Sequence, residues 1–134
     1  MLLLDSEAIS AIARGPKNRR DKVRALMAEM RARGLPVCLA AAVLAEVIRD
    51  KPGDAAVFSG LSRERIEARS VDFRVAVRAG QLLGRVGAGS EMAVDAFTVA
   101  VADLGGGAIV ATTDLTDLRA LAAHAANVLV ADIT

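Results

Sequence analysis

Short, continuously apolar runs alternate along this chain with longer stretches whose apolar positions recur every three or four residues. The runs are Leu2 to Asp5, Leu35 to Leu39, Ala108 to Thr113 and Val128 to Val130. Runs this short, without polar alternation, suit strands buried on both faces of a parallel sheet. Between them, Ser6 to Ala13 reads as a helix stopped by Gly15-Pro16, and about Arg19 to Ala32 as a second. The second carries Val23, Leu26, Met27 and Met30 on one stripe and ends at Gly34. Ala41 to Arg49 reads as a third helix with Val43, Leu44, Val47 and Ile48 inward. Residues 54 to 69 predict a short helix and then a strand near Arg65 to Val71.

Asp72 can cap a helix whose stripe is Val75, Ala79, Leu82, Leu83 and Val86, broken at Gly87-Ala88-Gly89. Glu91 to Leu104 and Leu115 to Ala125 complete the set. Alternating strands and helices argue for a three-layer α/β domain, a mostly parallel central sheet flanked by helices. No repeat or linker divides the chain, so residues 1–134 read as a single domain.

In such sheets function gathers beyond the carboxyl ends of the strands, and there the chain places acids. Asp5 ends the first run and Asp114 follows the Ala108 run, while Glu46 and Asp95 lie on helices, off the core stripes. Each alone has an ordinary explanation, Asp5 as a helix cap and Asp114 as a turn residue. Together they form a constellation. Carboxylates that converge repel one another and need a cation, and an oxygen-only donor set suits magnesium or manganese better than zinc. That chemistry points to a metal-dependent phosphodiesterase. Thr112 is two residues before Asp114, so on an extended strand the two side chains share a face. Its hydroxyl is placed to position a water or orient a carboxylate.

Composition narrows the partners. The net charge is only +1, but eight basic residues stand against Asp21 and Glu29 between Arg14 and Arg33. A basic arm beside an acidic centre suits work on a polyanion. Arg20, Arg24 and Arg31 run along one helix edge, and Arg74, Arg78 and Arg85 repeat that spacing on another. Either line could follow a nucleic-acid backbone; of these, Arg20, Arg24, Arg74 and Arg78 are taken as the substrate-contact candidates. With no Trp or Tyr and only three Phe, base stacking is not the means of grip. Cys38 is the only cysteine, which excludes an internal disulfide and fits a reducing, cytoplasmic setting. No apolar run approaches the roughly 18 residues of a membrane span. His124 reads as a surface residue near a helix end. Gly105-Gly106-Gly107 follows a helix and precedes a strand, the reverse of a phosphate cradle, so it reads as a turn.

These motifs resemble a known family. Leu2-Leu3-Leu4-Asp5-Ser6, Glu46 after the second strand, Asp95-Ala96 opening a late helix and Thr112-Thr113-Asp114-Leu115-Thr116-Asp117 after the next strand are similar to the pattern of PIN domains. The length resembles VapC-type toxins of bacterial toxin–antitoxin modules. Glu7 departs from the pattern, and residues 51–70 match nothing in it. The resemblance implies a PIN-like fold and an endoribonuclease, with one or two Mg2+ or Mn2+ ions held by Asp5, Glu46, Asp95 and Asp114 and assisted by Asp117. It further implies an RNA substrate, a cognate antitoxin and a homodimer. Two rivals stand beside it. A receiver-like signalling module would need a lysine after a late strand, whereas Lys17, Lys22 and Lys51 all fall in the first half. A catalytically silent PIN-like interaction protein would not need four intact acids.

Overall fold

The computed structural model describes residues 1–134. Five strands, β1 (Leu2–Leu4), β2 (Val37–Ala40), β3 (Glu67–Arg69), β4 (Ala108–Thr112) and β5 (Val128–Asp132), form one sheet. Every pairing is parallel and the order is β3-β2-β1-β4-β5. The expected three-layer α/β arrangement is thus present, with β1 in the centre. Leu2, Leu3 and Leu4 are wholly buried because helices cover both faces. Each such leucine contributes roughly 1.5–3 kcal/mol.

Seven helices surround the sheet: α1 (Ser6–Arg14), α2 (Lys17–Ala32), α3 (Leu44–Val47), α4 (Asp54–Arg63), α5 (Phe73–Val86), α6 (Ala93–Leu104) and α7 (Leu115–Ala122). The stripes read from the pattern reach the core: Val23, Met27 and Met30 of α2, and Val75, Ala79 and Leu82 of α5, are buried. Asp72 caps α5, its carboxylate accepting from the Val75 amide at 3.0 Å. The same helix closes at Gly87, whose φ of 69° is one that glycine adopts without strain.

Several boundaries differ from expectation. The third helix, expected over Ala41 to Arg49, is a 3-10 turn at Ala41–Val43 and a single α turn at Leu44–Val47. β-branched Val47 and Ile48 followed by Lys51-Pro52-Gly53 favour extended chain there, and Ile48 is already extended. The second strand starts at Val37 because Pro36 cannot donate to a ladder; its carbonyl accepts from Leu2 instead. The Arg65 to Val71 strand shrinks to Glu67–Arg69, a fully exposed edge. The helix expected from Glu91 starts as a 3-10 turn over Ser90–Met92. The last helix stops at Ala122, and the last strand runs on to Asp132.

Candidate active site

Asp5 stands where β1 gives way to α1 and is only 4 % exposed. Its carboxylate accepts from the Ala8 amide at 2.8 Å, so it caps α1 and is also held rigid. Burial drives its pKa up to about 6, while the Thr112 hydroxyl and the Ala8 amide pull the other way. Asp95 lies in the first turn of α6. Its pKa also rises to about 6, first from burial and then from the charges of Asp5, Glu46, Asp114 and Asp117. Those four acids therefore stand close enough to Asp95 to be felt by it. The leading influences on Asp5 and Asp95 include no basic side chain.

The remaining members occupy loop-proximal positions. Glu46 is exposed on the short α3, at the carboxyl end of β2. Asp114 is exposed before α7, and its side chain makes no cap, so its oxygens are free. Thr112 is completely buried at the end of β4. Its hydroxyl accepts from the Asp114 amide at 2.9 Å and lies beside Asp5, linking the ends of β4 and β1. Asp117 is half-buried in the first turn of α7. As placed, no three Asp, Glu, His or Cys side chains are arranged to hold one ion among themselves.

The arginine lines divide. Arg24 pairs with Glu64 (Nε to Oε1, 3.1 Å) and Arg31 reaches the Glu64 carbonyl, so both tie α2 to the end of α4. Arg78 donates to Asp103 at 2.7 Å and to the His124 carbonyl at 2.8 Å. Arg20 is half-buried with its Nε unpartnered. Arg74 and Arg85 are exposed. The helices α5 and α6 pack together across the short link 87–92. Arg78 meets the Asp103 end of α6, so Arg85, two turns further along α5, lies toward the Asp95 end. Sequence spacing placed Arg85 in the line without ranking it; pairing across helices is what distinguishes it from Arg78.

His124 is exposed, as its position at a helix end suggests, and Gly105 to Gly107 form the turn from α6 into β4. Two concavities of about 280 Å³ lie away from the acids. One lies between α2 and the end of β5, and the other is at the amino end of the sheet around Met1, Leu35 and Gly107. Neither has chemistry converging on it. No helix is long and apolar enough to cross a membrane.

A parallel α/β domain whose acids gather beyond the carboxyl ends of its strands is the class of protein that the fold and the site define. Within that class, the family model for the PIN domain matches residues 2–123, and the chain belongs to the PIN domain family. The fold is also similar to a chain in the crystal structure of VapBC2 from Rickettsia felis bound to a DNA fragment from their promoter. That match has a TM-score of 0.67 at 16 % identity and covers 98 % of this chain and 97 % of that one. No curated protein matches the sequence.

Proposed function

We propose that the protein is a magnesium- or manganese-dependent endoribonuclease, the toxin of a VapC-like toxin–antitoxin module acting on RNA in the cytoplasm. The observation that carries the reading is the gathering of Asp5, Glu46, Asp114 and Asp117 around Asp95, whose carboxyl is pushed up to about 6 first by burial and then by those four charges. Such a cluster carries like-charge repulsion at neutral pH, and a cation relieves it. The donor set is oxygen-only and suits a hard ion. Its members do not close on one point as placed, and magnesium is an ion that keeps several waters when protein ligands are few, so the carboxylates would hold it partly through water. Asp5, Glu46, Asp95 and Asp114 would hold the ion. When bound, it supplies an activated water and polarises the scissile phosphate.

The chain's own residues do the rest. Asp5, fixed by its cap to Ala8, gives the site one rigid wall. Thr112 keeps Asp5 ionisable and holds the Asp114 backbone in place. Asp117 adds negative charge at the rim and favours a second cation or a bound water. Of the two arginine lines, substrate contact falls to Arg20, Arg74 and Arg85; Arg24 and Arg78 are engaged with Glu64 and Asp103, and Arg31 with the Glu64 carbonyl. The VapBC2 likeness supports a cognate antitoxin as partner.

The test is direct. Protein purified free of any bound partner should cut RNA in magnesium or manganese and stop on addition of EDTA. Cleavage that persists in EDTA would sink the reading.

A further inference from the structure

Glu46 is carried by the least self-sufficient element of the site. It is exposed on α3, a single helical turn, and takes part in none of the molecule's ion pairs. One turn of helix does not hold itself together in water. Buried Val43 and Val47 anchor it on the inner side, and Arg49 anchors its end. Were the helix to continue, the Arg49 amide would donate to the Ala45 carbonyl. The Arg49 side chain, three residues beyond Glu46, would then stand where an ion pair with it forms. Neither happens. The Arg49 amide donates instead to the two carboxylate oxygens of Asp54, at 3.0 and 3.2 Å. Arg49 Nη1 turns back and donates to the Ala45 carbonyl at 2.7 Å and the Ile48 carbonyl at 2.8 Å. Asp54 also accepts from the Lys51 amide at 3.2 Å. Asp50, left-handed at a φ of 54°, turns the chain so that Asp54 returns beside Arg49.

We infer that Arg49 and Asp54 are positioning residues for Glu46: together they end α3 after one turn, hold its last carbonyls and keep the Glu46 carboxylate unpaired. The inference rests on the reading of Glu46 as a metal ligand. A carboxylate already paired with an arginine would meet a metal ion with its charge answered. Here the guanidinium is turned onto the carbonyl end of α3, where the helix dipole also favours a cation. Its own amide, which the broken helix leaves without an intrahelical acceptor, is satisfied by Asp54. Glu46 is therefore left both free and fixed. A ligand held in place before the ion arrives loses less conformational freedom on binding than one on a loose turn.

The full chain with Mn2+ alone, and no RNA, tests this. In amide NMR relaxation of the metal-free protein, Arg49→Ala should lower the backbone order parameters of residues 45–50 from about 0.85 to below about 0.6, leaving β1 and α6 unchanged. Calorimetric Mn2+ affinity should fall roughly 10-fold to 100-fold in the same variant, the loss expected when a group that orients a metal ligand is removed. The sign is diagnostic, because deleting a nearby positive charge would by itself tighten cation binding. Arg49→Lys should restore most of the affinity, since one nitrogen makes both carbonyl bonds and an ammonium carries three donors. On a Glu46→Gln background, Arg49→Ala should weaken binding little further, because the two residues act as one. Mn2+ binding that Glu46→Gln weakens but Arg49→Ala leaves unchanged or tightens would overturn the inference alone. A parent that binds no Mn2+ would overturn the proposed function and the inference with it.

Discussion

Asp95 and Asp103 sit on the same helix, little more than two turns apart, and live in opposite electrostatic worlds. Asp95, in the first turn of α6, is surrounded by four acids, and its carboxyl is pushed up to about 6. Asp103, in the last turn, is partly desolvated, which by itself would raise it. Arg78 and the Ala126 amide at 2.9 Å more than offset that, and its carboxyl is held below the usual range. One end of α6 has its negative charge neutralised by the fold; the other has it concentrated. A chain that can place Arg78 against Asp103 has left Asp95 without such a partner, and this is the physical basis for assigning a cation to that end.

The largest expected effect comes from removing charge at the crowded end. Asp95→Asn should lower RNA cleavage by roughly 100-fold or more, since a ligand and its charge are lost together. Metal-free protein should tolerate the change. A carboxyl raised above its unfolded value stabilises the fold below the unfolded pKa, and that contribution is lost as pH rises through the folded value. The parent without metal should therefore lose stability between about pH 4 and 6, on the order of 2 kcal/mol once solvent screening is allowed for. Asp95→Asn should flatten that loss. Thermal denaturation in EDTA across this range reads it, and a steeper loss in the variant would contradict the account.

A smaller effect, of opposite kind, belongs to the neutralised end. Arg78→Ala should cost about 1–3 kcal/mol, because it leaves Asp103 desolvated and removes a donor to the His124 carbonyl. Asp103 is depressed, so its contribution is present above the unfolded pKa and lost as pH falls through the folded one. The destabilisation should thus shrink in acid. Specific activity per folded molecule should change little. Urea unfolding at pH 7 and pH 3.5, paired with RNA cleavage below the melting range, checks both halves. A variant as stable as the parent would remove the contrast between the two acids.

How much of this contrast was legible beforehand depends on the range of the interactions. Strands β1 and β4 could be read because Leu2-Leu3-Leu4 and Ala108 to Thr112 are locally unambiguous, and Asp5 and Asp114 follow them directly. The α5 stripe and its Asp72 cap are likewise local. The third helix was misjudged because its periodicity is helical while Val47, Ile48 and the coming Pro52 disfavour continuation. Residues 51–70 were hard to read because β3 is an exposed edge with no apolar pattern. Arg78 looked like a substrate contact on spacing alone. Its partners, Asp103 and the His124 carbonyl, are distant in sequence, and only the packing of α5 on α6 brings them together. The contact of the Thr112 hydroxyl with Asp5 is tertiary in the same way, whereas the Asp5 cap on α1 and the Thr112 link to the Asp114 amide are local.

The central claim is that the acids at the Asp95 end form a divalent-ion site and the Asp103 end does not. Paramagnetic Mn2+ tests it without relying on activity. In amide NMR spectra of the metal-free protein at neutral pH, substoichiometric Mn2+ should broaden the signals of Asp5, Glu46, Asp95, Asp114 and their neighbours. Asp103, Ala126 and the middle of α5 should stay sharp, and excess Mg2+ should restore the lost signals. Uniform weak broadening, or broadening centred away from Asp95, would contradict the claim.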